Sequence, residues 1–70
     1  MNEVSIAERR KALGLTQERL ARRIEDRTQT TVSGVLIYRW EHGRLSSKMA
    51  AFLEYALRQI ESSSAGEVGA

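Results

Sequence analysis

Apolar residues in this chain recur at helical spacing, in four blocks separated by short polar punctuation. The clearest block is the last. Met49, Phe52, Leu53, Ala56, Leu57 and Ile60 fall at i, i+3, i+4, i+7, i+8 and i+11, the stripe of an amphipathic helix over about three turns. Ser46 or Ser47 stands where its N-cap belongs. The stripe is long for so short a chain, and two readings of it stay open. All of it packs internally, or its second half covers a partner subunit through Phe52, Tyr55, Ala56, Gln59 and Ile60.

The other blocks are shorter. Ser5 and Glu8 have the spacing of a capping box, so a first helix is predicted over 6–13, ended by Gly14. Its apolar stripe, Ile6 and Leu13 joined by Leu15, is interrupted by Arg9, Arg10 and Lys11. Thr16 caps a second helix, with Leu15 able to staple onto Leu20. Leu20, Ala21 and Ile24 give that helix one apolar face, and it ends between Ile24 and Arg27. Residues 25–31 contain no apolar side chain and are rich in threonine, which mildly disfavours helix; they are expected to form a loop. Ser33 caps a third helix, stapled from Val32 to Ile37, with Ile37 and Trp40 facing inward and Gly43 ending it. Its β-branched content keeps a strand as the rival reading. Residues 62–70 are small and polar and are expected to be a disordered tail. The fold class expected is therefore all-α, a compact bundle of four or five helices over residues 1–61.

Composition narrows the function. At 70 residues the chain is one small domain. It has no Cys and one His, so no disulfide framework is available, and neither a cofactor nor a metal is expected. No apolar run approaches the ~18 residues of a membrane span, and the N-terminus lacks a signal-peptide pattern; a cytoplasmic protein is expected, with no membrane partner. Residues 1–44 carry nine Lys/Arg against six Asp/Glu, and residues 45–70 two against three, for a net charge of +2. The basic half hints at a polyanion partner. No set of catalytic residues can be assembled: there is no Cys nucleophile, no nucleophile elbow, no phosphate-binding glycine loop, and His42 precedes a helix-ending glycine. An enzyme is not expected.

Taken in order, Arg10, Gly14, Leu15, Thr16, Gln17, Leu20 and Ala21, then Ser33, Ile37, Trp40, Glu41, Gly43 and Arg44, resemble the XRE family of helix-turn-helix regulators, the Cro and phage-repressor type. That family carries R-x-x-x-G-L-T-Q-x-x-L-A followed by S-x-x-x-I-x-x-W/I-E-x-G-R, and the resemblance covers about residues 6–57. It implies a DNA-binding domain whose second motif helix enters the major groove while the first crosses the backbone. By the same resemblance, Gln17 sits near a phosphate at the start of helix two, and Arg10 and Glu41 form a structural ion pair rather than a base contact or catalytic acid. Arg44 is placed for another phosphate.

On helix three, Ser33, Gly34, Val35, Tyr38 and Arg39 are the candidate base contacts. Arg39 can pair with guanine O6 and N7, Val35 can touch a thymine methyl, Tyr38 offers a hydroxyl and a ring, and Gly34 permits close approach to DNA. Two departures from the family stand out. Seven residues separate Ile24 from Val32, where the family has a tight turn. Arg27, Gln29, Thr30 and Thr31 are either an added phosphate-contacting loop or a loose insertion. Arg9 and Leu13 stand where the family more often has an apolar and a polar residue, so helix one is expected to be rotated or packed against something else.

The function expected from the resemblance is a sequence-specific, homodimeric DNA-binding transcriptional regulator. It would be an autorepressor of a phage or mobile-element operon, of Cro-like or anti-CRISPR-associated type, acting on a near-palindromic operator without a small-molecule effector. The alternative is a protein–protein interaction module, or antitoxin-like adapter, on the same scaffold. The scarcity of hydrogen-bonding side chains over Gly34-Val35-Leu36 favours the adapter, and the arginine excess opposes it.

Overall fold

The computed structural model describes residues 4–69, with side chains described through Ser63. Four helices follow one another: α1 (Ile6–Ala12), α2 (Gln17–Thr28), α3 (Gly34–Glu41) and α4 (Ser47–Gly69). The described residues contain no strand, which removes the strand reading of the third block. Local chemistry sets the starts. Ser5 and Glu8 form a reciprocal capping box at α1. Thr16 Oγ1 accepts from Arg19 N–H at α2, and Ser33 Oγ from Leu36 N–H at α3. Ser46 Oγ accepts from Met49 N–H ahead of α4.

The ends of α1 and α3 are built alike. Gly14 N–H donates to Lys11 O and Leu15 N–H to Arg10 O; Gly43 N–H donates to Trp40 O and Arg44 N–H to Arg39 O. Closing a helix this way needs a left-handed residue, and Gly14 and Gly43 supply it with φ of 73° and 68° at no steric cost.

The second helix outlasts its expected end between Ile24 and Arg27 by one residue: α2 runs on through Thr28, so that only residues 29–31 of the 25–31 segment lie outside it. Thr28 Oγ1 donates to Ile24 O at 2.7 Å, and the uninterrupted backbone ladder outweighs the small propensity cost of the polar residues. The helix then closes on Gln29 in the left-handed region, φ 60°, leaving only a short connection to Ser33. α4 is described as one helix to Gly69, over residues where a tail was expected. Residues 62–69 contain no proline, and a helix already nucleated extends at one hydrogen bond per added residue.

The core is the junction of α2, α3 and α4. Leu20, Ile24, Ile37, Leu53 and Leu57 are fully buried, with Ala21, Val32, Trp40, Ala56 and Ile60 around them. Burial of each large side chain contributes about 1.5–3 kcal/mol. Ile6, Leu13, Leu15, Met49 and Phe52 pack against this core from its edge. No residue of α1 is itself buried, so that helix needs another anchorage.

Arginines provide it. Arg9 Nε and Nη2 donate to the Glu61 carboxylate at 2.9 and 2.8 Å, and Nη1 donates to Glu54 Oε1 at 2.9 Å. This joins α1 to α4. Its neighbour Arg10 turns to α3, where Nε meets Glu41 Oε2 at 2.6 Å. The polar residue at position 9 is thus the group that α4's two carboxylates require, and α1 is held by charge where its apolar stripe is thin.

Candidate nucleic-acid interface

The site is built where the N-terminus of α2 meets the N-terminal half of α3. Gln17, Glu18, Ser33, Gly34, Val35 and Tyr38 line one open groove. Val35, Tyr38, Arg39 and His42 fall at i, i+3, i+4 and i+7 and are all exposed, so they form a single outward face. Ile37 and Trp40 turn into the core. Val35 is 62% and Tyr38 49% exposed, a large apolar presentation for a solvated helix.

The close approach of the two helices depends on Gly34. A Cβ there would lie 2.9 Å from Glu18 Cγ and 3.4 Å from the Glu18 backbone. This changes its expected role: the missing side chain makes room for α2 rather than for DNA.

Beneath the groove lies a polar cluster. Glu41 accepts from Arg10 Nε and, at 3.0 Å, from Gln17 Nε2; Arg10 Nη1 donates to Leu15 O at 3.0 Å. The Arg10 and Glu41 side chains are 11% and 6% exposed. Burial pushes the Glu41 carboxyl upward, but hydrogen bonds from Arg10 and Gln17, with the Arg10 charge, outweigh it and hold the carboxyl below its ordinary value. Gln17 is therefore held at the first turn of α2 by a charge-assisted bond, with its remaining amide hydrogen available to an outside acceptor.

The candidates divide in space. Gln17, Ser33, Gly34, Val35 and Tyr38 come together, and Arg39 shares the face of Val35 and Tyr38. Arg44 is exposed immediately after α3. The residues of the 25–31 segment are not brought to this groove. Arg27 lines a cleft with Arg23, Asp26, Ile60 and Ser63 beside α4. Thr30 lines another with Ser46, Lys48, Met49 and Phe52. Gln29 donates its side-chain amide to Asp26 O at 2.7 Å, closing its own helix, and Thr31 is exposed in the connection.

The tentative subunit surface also changes. Ala56 and Ile60 are in the chain's own core, as the i+7 and i+11 members of the buried stripe, and Phe52 packs at its edge. Tyr55, 63% exposed, and Gln59 are what the outer face of α4 presents.

Sequence reasoning missed two arrangements. One is the Arg9 clamp, whose signal was the seven-residue spacing of Glu54 and Glu61, two helical turns on one face. The other is a stack of Tyr38 on His42, ring centroids 4.1 Å apart, foreshadowed only by their i, i+4 spacing. No family model, curated protein or solved structure matches this chain. No helix among the described residues is long and apolar enough to cross a membrane.

Proposed function

We propose that the chain is a sequence-reading DNA-binding regulator, acting as a homodimer on a near-palindromic site. The observation that carries the reading is the paired placement of α2 and α3. Gln17, fixed at the first turn of α2, stands over the same groove as Ser33 and the exposed α3 face. A helix with its side chains is about 10–12 Å across, and the DNA major groove is about 12 Å wide. With α3 in that groove, Arg39 is the base-reading side chain, Tyr38 and Val35 supply shape and thymine contact, and Gln17 and Arg44 meet phosphates. Helix N-termini add unpaired N–H groups and positive potential. Two copies would read half-sites about 34 Å apart. Autorepression of a phage or mobile-element operon, by occlusion of its promoter, is the mechanism this reading takes.

The test is binding to the chain's own promoter and to a scrambled duplex over a salt series. Promoter-selective binding is expected, with log K falling by about 0.9 per neutralised phosphate for each tenfold rise in salt. Arg39→Ala should cost the promoter about 1–3 kcal/mol and the scrambled duplex little, whereas Arg44→Ala should weaken both. Absence of binding to either duplex at low salt would select the adapter reading. The exposed Val35 and Tyr55 and the apolar cleft at Met49 and Phe52 favour that alternative.

A further inference from the structure

We infer that His42 is a proton-gated contact to the nucleic-acid backbone that also sets the pose of Tyr38; the inference rests on the DNA-binding reading above. His42 is the C-cap of α3 and the last member of its exposed face. Its Nδ1 lies 2.8 Å from Tyr38 O. A carbonyl oxygen only accepts, so Nδ1 carries the hydrogen and donates. That leaves Nε2 as the second nitrogen of an exposed ring, an acceptor when the imidazole is neutral and a donor when it is charged.

The same ring lies on Tyr38, with an interplanar angle of 33°. Protonation would strengthen three interactions together. The cation faces an aromatic ring. It sits at the negative end of a helix. Nε2 gains a hydrogen for a phosphate oxygen.

The charged surroundings permit this. On α3, Glu41 is the carboxylate next to His42 in sequence, and it already accepts from Arg10 of α1 and Gln17 of α2. Arg39 precedes His42 on the face and Arg44 follows α3, both exposed, so the basic side chains flanking the ring in sequence are cationic. Glu18 of α2 lines the far, N-terminal end of the groove. His42 is the chain's single histidine, and imidazole is the side chain whose charge changes between about pH 5 and 8. The response is therefore shared with no other histidine.

The experiment uses the full chain and a short mixed-sequence duplex, with binding followed by fluorescence anisotropy over a salt series at about pH 5.5 and about pH 8. One added phosphate contact per protomer steepens the salt slope by about 0.9, equivalent to about eightfold tighter binding at 0.1 M salt. His42→Gln should lose the pH-dependent gain, with one affinity and one salt slope at both pH values. His42→Arg should show the low-pH behaviour at both. In the free protein, the Tyr38 ring resonances should move with pH in the parent and stay still in His42→Gln, with circular dichroism confirming that each variant is folded. Binding with the same slope at both pH values, or a pH response that survives His42→Gln, would overturn the inference while leaving DNA binding intact. Binding at neither pH would overturn the DNA reading itself, and the phosphate role of His42 with it.

Discussion

Replacing Glu41 by alanine should come close to unfolding this domain. The carboxylate is 6% exposed and faces Arg10 at 2.6 Å, and it also accepts from Gln17 at 3.0 Å. Its removal strands a guanidinium that is 11% exposed and retains only the Leu15 carbonyl as partner. Breaking a buried pair from one side costs about 3–5 kcal/mol, and a core of this size supplies about 3–5 kcal/mol in total. With about 4–8 °C lost per kcal/mol in a domain this small, the melting temperature should fall by at least about 12 °C. The assay is thermal unfolding followed by circular dichroism. Two companions separate charge from packing. Glu41→Gln keeps one oxygen for Arg10 and should recover part of the loss. Arg10→Met with Glu41→Leu removes both charges and should recover most of it, because apolar replacement of a buried pair is often neutral or stabilising. An unchanged Glu41→Ala melting curve would refute the claim that this pair holds α1 to α3. Acid should act in the same direction. The Glu41 carboxyl is held below its unfolded value of 4.5. Its contribution is therefore fully present above that pH and is lost as the pH falls through the folded value.

Other substitutions test the remaining contacts. Arg9→Ala should lower stability by about 1–2 kcal/mol, since its partners are only partly buried and regain water; the Glu54 carboxyl, held low chiefly by its bond from Arg9, should then titrate closer to its ordinary value in a carbon-detected NMR titration. Gln29→Gly should raise the melting temperature, because a non-glycine residue at φ 60° costs roughly 1–2 kcal/mol; a lower value would mean that the bond from Gln29 to Asp26 matters more than the strain. Gly34→Val should destabilise by about 1–3 kcal/mol through overpacking against Glu18 and weaken binding to every duplex, as seen by thermal melts and anisotropy.

The parts of the fold legible in the sequence were those fixed by contacts a few residues apart. Ser5, Thr16 and Ser33 cap helices because a hydroxyl three residues ahead of a backbone N–H is a local geometry, and Gly14 and Gly43 end them for an equally local reason. The 3.6-residue stripe of α4 placed Leu53 and Leu57 in the core. What was not legible depends on long-range partners. Arg9 reads as an interruption of an apolar stripe until Glu54 and Glu61 arrive from the other end of the chain. Gly34 reads as a gap on a solvent face until α2 lies against it. The same limit left Ala56 and Ile60 open between the core and a partner's surface: the stripe does not say how many of its turns one core can cover. Only Thr28 lies beyond the expected end of the second helix, because propensity, a matter of tenths of a kcal/mol per residue, could not break a backbone ladder already formed.

The arginine clamps also change what the charge of the chain can do. Of the nine bases in residues 1–44, Arg9 and Arg10 are committed to internal carboxylates, and Arg23 and Arg27 line a cleft against α4 rather than the groove. Lys11 and Arg19 are exposed on α1 and α2, and Arg22 lines a cleft with Ser33 and Gly34, so the face around α3 is left with Arg22, Arg39 and Arg44, and with His42 when protonated. A DNA-binding surface with so few cations gains little from counterion release, so one copy should bind weakly and with a shallow salt slope. Affinity would then come from joining two such faces, because the second half-site is met at the high effective concentration that linkage provides. On the regulator reading, a variant that abolishes self-association should therefore lose promoter binding while each α3 remains intact. A monomeric form that bound the full site as tightly as the parent would show that α3 and its few cations suffice alone.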